Sequence, residues 1–167
     1  MKIKLFILAL LPAVLAGGCF YPYYLPKQKK MAENAYGSYL KLSLIKTKNV
    51  RGELIAIDSS NMILLTGDFK NSEKKIAVVP INKIKRFRVY YAKPSRYDIA
   101  GPILGLLTIS HGVWSIFSLP VNVLASSAVT ANAYFAYSDE TFGLDDLRKY
   151  ARFPQGLPTN VVLEEIK

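Results

Sequence analysis

Residues 39–57 read YLKLSLIKTKNVRGELIAI. In the first eight, Leu40, Leu42 and Leu44 alternate with Lys41 and Ser43. A period of two places alternate side chains on opposite faces of a strand, one buried and one wet. Lys48-Asn49 then marks a turn, and Arg51 to Ile57 begins a second apolar run. Three more runs follow: MILLT (62–66), KIAVVPI (75–81) and FRVYY (87–91). They are divided by Asp58-Ser59-Ser60-Asn61, Gly67-Asp68, Asn71-Ser72 and Asn82, residue types that favour turns. Five short strands over residues 39–92 predict a small, strongly bent β-barrel. The alternation puts Leu42, Leu54, Leu64 and Val78 inside. It also sets Arg86 and Arg88 on one face of the last strand and Phe87 and Val89 on the other.

The spacing Gly52-x-Leu54, Asp58, Asn61-Met62 and Leu65 resembles the first signature of Sm-like barrels, and Val79-Pro80-Ile81-Asn82-Lys83-Ile84 fits the later part. The resemblance covers about a third of the chain. It implies a glycine that lets the second strand bend, an aspartate and an asparagine that shape the next turn, and a short turn of helix before the last strand, as in SH3-like barrels. The order of asparagine and methionine is reversed relative to that family, since Asn61 precedes Met62. The family's base-binding residue is therefore not carried over.

Outward from the barrel the chain changes character. Residues 99–138 contain no formally charged side chain, and Asp98 and Asp139 bracket them. Pro120 near the middle disfavours helix in the residue before it. The segment predicts an apolar helical hairpin turning near Leu119-Pro120. Gly101, Gly105, Ala125, Ser126 and Ala128 would let the helices approach closely. Leu104, Leu107, Trp114 and Phe117 would then face the barrel, a second copy of the chain, or lipid. Each half is about twenty residues, near the length that spans a bilayer, while Asn122, Ser126, Ser127, Thr130 and Asn132 count against spanning. In residues 139–167, Asp145-Asp146 and Arg148-Lys149 match the dipole of a short C-terminal helix, which Pro154, Gly156 and Pro158 end. Asn160 to Ile166 reads as a short edge strand. The fold class expected is α+β: barrel, apolar hairpin, short C-terminal helix and tail.

The N-terminal end concerns location. Lys2 and Lys4 form a basic head, Leu5 to Leu15 is apolar, and Ala16, Gly17 and Gly18 are small. This is the order of a secretory signal peptide, too short for a confident spanning helix. The next residue, Cys19, is the one cysteine of the chain. LAGGC resembles the lipobox of bacterial lipoproteins, with Ala16 where leucine is commonest and Leu15 one place further back. The resemblance implies cleavage after residue 18 and lipid on Cys19. Phe20 is not the aspartate that retains such proteins in the inner membrane of Gram-negative cells, so it also implies the outer membrane, facing the periplasm. ARFPQGLP (151–158) resembles a C-terminal motif of small uncharacterised bacterial lipoproteins. Residues 19–38, with Phe20, Tyr21, Tyr23 and Tyr24 before Lys27, Lys29 and Lys30, read as a tether whose aromatics and lysines suit a membrane interface.

Loss of residues 1–18 would leave 149 residues, one ordinary domain, and lower the net charge from +10 to +8, since Lys2 and Lys4 depart. A basic balance suits anionic lipid, phosphate or nucleic acid. No catalytic set is advertised. The cysteine is assigned to lipid, the single histidine, His111, sits in the uncharged segment as a packing residue, and the acids come as sequence neighbours. No zinc site and no phosphate loop can be assembled, and no cofactor is expected. The sequence therefore predicts a non-enzymatic envelope lipoprotein whose barrel meets an envelope protein or anionic lipid, with self-association through 99–138. The alternative is an Sm-like nucleic-acid-binding protein, supported by Lys83, Lys85, Arg86, Arg88, Lys93 and Arg96 interleaved with Phe87, Tyr90, Tyr91 and Tyr97. Export disfavours it.

Overall fold

A computed structural model describes residues 22–67, 73–93, 97–163 and 166. The chain divides into two compact units: a sheet unit of residues 23–94 and 134–167, and a second unit whose described part is a helical hairpin within 95–133.

The sheet unit is α+β. After a short helix α1 (Gln28–Glu33), strands β1 (Tyr39–Leu44), β2 (Val50–Ile57), β3 (Asn61–Thr66), β4 (Lys75–Pro80), β5 (Ile84–Ala92) and β6 (Tyr134–Ser138) form one sheet in the order β4-β3-β2-β1-β5-β6. Every pairing is antiparallel. The expected closed five-stranded barrel is corrected to an open sheet of six strands. The physical reason is β6. It pairs along the edge of β5 that a barrel would need for closure, Arg88 opposite Ser138 and Ala92 opposite Tyr134. The segment YFAYS lies within the stretch 99–138 expected as a hairpin, but its aromatic, β-favouring residues form a strand.

Other local expectations hold. Asp58 shapes the β2–β3 turn, its Oδ1 accepting the backbone N–H of Ser60 at 2.7 Å and of Asn61 at 2.6 Å. These two bonds hold the Asp58 carboxyl below its ordinary range. A single 3-10 turn, Ile81–Lys83, precedes β5. Gly52 sits where the β2 backbone runs against β3, and a Cβ there would strike the Leu65 carbonyl oxygen. A bulge between Leu54 and Ala56 lets β2 bury side chains on both faces.

One face carries Leu40, Leu42, Leu54, Ile57, Met62, Leu64, Val79, Phe87 and Val89, covered by Leu147 and Ala151. The opposite face, at β2 and β3, packs Ile55, Ala56, Ile63 and Leu65 against Ile166 and the partly buried Phe153 and Leu157. Leu42, Leu54 and Leu64 are inside as expected. Val78 is not: it is 53% exposed, and Val79 takes the core place. The apolar run IAVV hides its own parity, and a slip of one residue flips a strand's faces. The C-terminal helix is short, α4 (Leu144–Leu147) with a 3-10 turn at Arg148–Tyr150. The expected edge strand at 160–166 is absent among the described residues there, which lie in irregular backbone and a single-residue turn.

The hairpin unit contains α2 (Tyr97–Ser110) and α3 (Ser115–Ala131). It is inserted between β5 and β6, strands that otherwise lie next to each other. The turn falls at His111–Gly112, where Gly112 adopts φ +55°, and Pro120 lies inside α3. Pro120 is the sixth residue of α3, so its missing N–H affects only one bond near the helix start. Glycine in the left-handed region is the stronger stop. The helices are 14 and 17 residues long, about 21 and 26 Å against a hydrocarbon core of ~30 Å. Among the described residues no helix is long and apolar enough to cross a membrane. The seam is polar at its centre. Thr108 is buried and its Oγ1 accepts from Asn122 Nδ2 at 2.6 Å while donating to the Leu104 carbonyl at 2.9 Å. Gly105 is not at the seam, since a Cβ there would meet nothing within 4 Å. Leu106, Val113, Trp114, Phe117, Val121 and Leu124 are 64–72% exposed.

Candidate functional site: a cationic and aromatic sheet face

On the face of the sheet opposite the main core, β1 and its neighbours carry two registered rows. The first is Glu53, Tyr39, Tyr90 and Ala136, on β2, β1, β5 and β6. The second is Arg51, Lys41 and Arg88, with Ser138 on the outermost strand. The three cations are exposed. Each is the direct cross-strand partner of the next, an arrangement of like charges that destabilises a sheet. Among the described residues no carboxylate pairs with any of them.

Tyr24, in the segment read as tether, lies on this face. Its ring stacks on Tyr39 at 4.5 Å and meets Tyr90 edge-on at 5.6 Å, and Tyr90 lies 5.8 Å from Tyr134. The Lys41 ammonium stands 4.9 Å from the Tyr24 ring centroid and 4.7 Å from that of Tyr90, within cation–π range. Burial, and then the neighbouring tyrosine hydroxyls, push the Tyr24 phenol well above its usual range. Leu25 is buried and α1 follows it, so residues 23–38 belong to the folded sheet unit and are not a free tether.

A buried ion pair stands beside the rows. Glu53 receives Arg152 Nε at 2.8 Å and Nη2 at 2.7 Å, and the Gly37 backbone N–H at 2.8 Å. Its side chain is 3% exposed and that of Arg152 13%. A cavity of about 310 Å³ opens nearby, lined in part by Tyr36, Tyr91, Lys149 and Arg152. Both its cations are engaged, Arg152 with Glu53 and Lys149 with Asp146 at 3.2 Å.

Of the residues singled out from sequence, Cys19 lies outside the described residues. His111 is exposed at the hairpin turn, which corrects its assignment to packing, and Trp114 is 72% exposed. The stretch offered for nucleic acid splits. Arg86 and Arg88 face outward, but Phe87 is buried in the core and Tyr90 is covered by Tyr24, so neither ring offers an open stacking platform. Lys93 stands over the Phe135 ring at 4.5 Å, and Arg96 lies outside the described residues. Among the described residues no three His, Cys, Asp or Glu side chains gather as a metal site. Sequence reasoning missed Arg51 and Lys41 as companions of Arg88, and missed Tyr24 as part of the fold. The chain matches no protein-family model, no curated protein and no solved structure.

Proposed function

We propose that this protein is a non-enzymatic lipoprotein of the cell envelope, held to the outer membrane on its periplasmic side by lipid on Cys19, with the sheet unit as its interaction module. The observation that carries this reading is the order Lys2 and Lys4, an apolar run to Leu15, then Ala16-Gly17-Gly18-Cys19, ending on the one cysteine of the chain. An exported protein with a single thiol needs a use for it, and acylation with two or more chains supplies a stable anchor. The exposed apolar hairpin is, within this reading, the surface for association with a second copy or an envelope partner.

Metabolic labelling with an alkyne fatty acid tests the anchor. The expected result is label on the wild type, none on Cys19→Ala, and a mature chain that starts at Cys19. Label that persists in Cys19→Ala, or a mature chain that starts at Met1, refutes the anchor. Self-association is read by sedimentation in mild detergent, where a single monomeric species removes that part of the reading.

A further inference from the structure

We propose that the face bearing Arg51, Lys41 and Arg88 binds the phosphates of anionic lipid head groups, so that the sheet unit lies flat on the bilayer that anchors it. The proposal rests on the anchor reading for its geometry and on the sheet itself for its chemistry. Three exposed cations stand in adjacent register across β2, β1 and β5. Neighbouring strands are ~4.8 Å apart, so the row spans about 10 Å. That width suits one or two head-group phosphates, and a polyanion above the row removes the mutual repulsion that the sheet otherwise bears.

The aromatic row supplies the second half of the argument. Tyr24, Tyr90 and Tyr134 lie partly exposed next to the cations on the same face, with Tyr39 buried beneath Tyr24. Tyrosine rings with a polar tip are the side chains enriched where a bilayer meets water. Tyr24 also fixes the anchor's reach. Four residues lie between Cys19 and Tyr24, and an extended chain covers at most ~3.6 Å per residue, so chain length alone limits their separation to about 18 Å. A lipid anchor this close raises the local concentration of head groups at the row, as a short linker does for any second site. Arg51 and Arg88 carry no competing carboxylate among the described residues, and Lys41 keeps an exposed side chain although its ammonium caps two rings.

Lysine footprinting of the full-length protein tests this. The protein is reconstituted into phosphatidylcholine vesicles, or into the same vesicles with about a third phosphatidylglycerol, then treated with an acetylating reagent and read by mass spectrometry. The expected result is several-fold protection of Lys41 on the anionic vesicles only, with Lys149 unchanged as the internal reference. Protection should vanish in 0.5 M salt and fall in Arg51→Gln/Arg88→Gln. That variant should fold with an equal or higher Tm, because it relieves like-charge pairs. Equal reactivity of Lys41 on both vesicles overturns the proposal. So does protection on neutral vesicles by single-stranded RNA that phosphatidylglycerol cannot match, which would assign the face to nucleic acid. The same spectra report the mass of the Cys19 peptide. An unmodified Cys19 with Lys41 protected sinks the anchor reading and keeps this one, and an acylated Cys19 with Lys41 unprotected does the reverse.

Discussion

Arg152→Ala is expected to be among the most destabilising single changes in the sheet unit, because it strands a buried carboxylate. Glu53 projects from β2 with its side chain 3% exposed and takes two parallel bonds from Arg152, 99 residues away in sequence. The Arg152 backbone N–H also donates to the Leu54 carbonyl at 3.0 Å, and Phe153 N–H to that of Ile55 at 2.9 Å. The pair thus fastens the segment after the C-terminal helix to the bulged part of β2. Loss of the guanidinium leaves the Glu53 carboxylate with the Gly37 backbone N–H. Removing one partner of a buried pair costs ~3–5 kcal/mol. Arg152 is 13% exposed, so water reaches part of the site, and the lower end, about 3 kcal/mol, applies. For a domain of this size that is a fall in Tm of roughly 6–12 °C. Arg152→Lys should recover little, since an ammonium cannot make the bidentate fork. The double variant Glu53→Gln/Arg152→Met removes both charges and should be less destabilised than Arg152→Ala, as paired apolar replacements often are. Urea unfolding followed by circular dichroism gives all three values. A cost under 1 kcal/mol for Arg152→Ala, or a double variant as unstable as the two singles summed, would refute the account.

Three further outcomes follow from the geometry. Val79→Ala should cost about 2 kcal/mol and Val78→Ala about 0.5 kcal/mol or less, because Val79 is 4% exposed and Val78 53%; equal costs in thermal unfolding would mean the β4 register is wrong. Gly52→Ala should cost about 2 kcal/mol or more, since its Cβ meets the Leu65 carbonyl, while Gly105→Ala, which meets nothing within 4 Å, should stabilise α2 by about 0.5–1 kcal/mol; circular dichroism melts decide the sign. Asp58, held below its ordinary value of 3.8 by the Ser60 and Asn61 N–H groups, contributes stability that is present above that value and lost as pH falls below it. The site is open to water, so the loss is on the order of 1 kcal/mol or less. Asp58→Asn keeps an acceptor without the charge, and its stability should converge on that of the parent below about pH 4; a constant gap from pH 7 to pH 3 would exclude the charge as the cause.

How much of this was legible in the sequence depends on the range of the interaction. Alternation in β1 and β5 is local and is read correctly from a few residues, and the Asp58 turn that the Sm-like resemblance implies is present. IAVV in β4 has no alternation, so its parity is open and Val78 takes the place that belongs to Val79. The hairpin is legible as two apolar helices, but Pro120 outweighed Gly112 in placing its turn. A proline early in a helix costs one hydrogen bond, whereas a glycine in the left-handed region is a common way for a helix to end. Closure of the barrel failed for a nonlocal reason. Nothing within 39–92 says that residues 134–138 return, after a 41-residue excursion from 93 to 133, to occupy the free edge of β5.

The cationic face shows the same limit more sharply. Arg86 and Arg88 can be placed on one side of β5 from alternation alone. That Lys41 and Arg51 stand beside Arg88 is a matter of register between three strands, fixed by pairs such as Leu42 with Phe87 and Leu42 with Val50. Those pairs are dictated by the core on the other side of the sheet. If Leu40, Leu42, Phe87 and Val89 must meet in the core, the residues between them must meet outside it, and the outside residues happen to be cations. The sheet could relieve that repulsion by one acid at any of the three positions. Glu53, one row away, is instead turned to Arg152. A sheet whose three cations in register meet no carboxylate among the described residues, beside partly exposed tyrosines and five positions along the chain from its one cysteine, is arranged to find its counter-charge elsewhere, and an anionic bilayer is the nearest source that the anchor would supply.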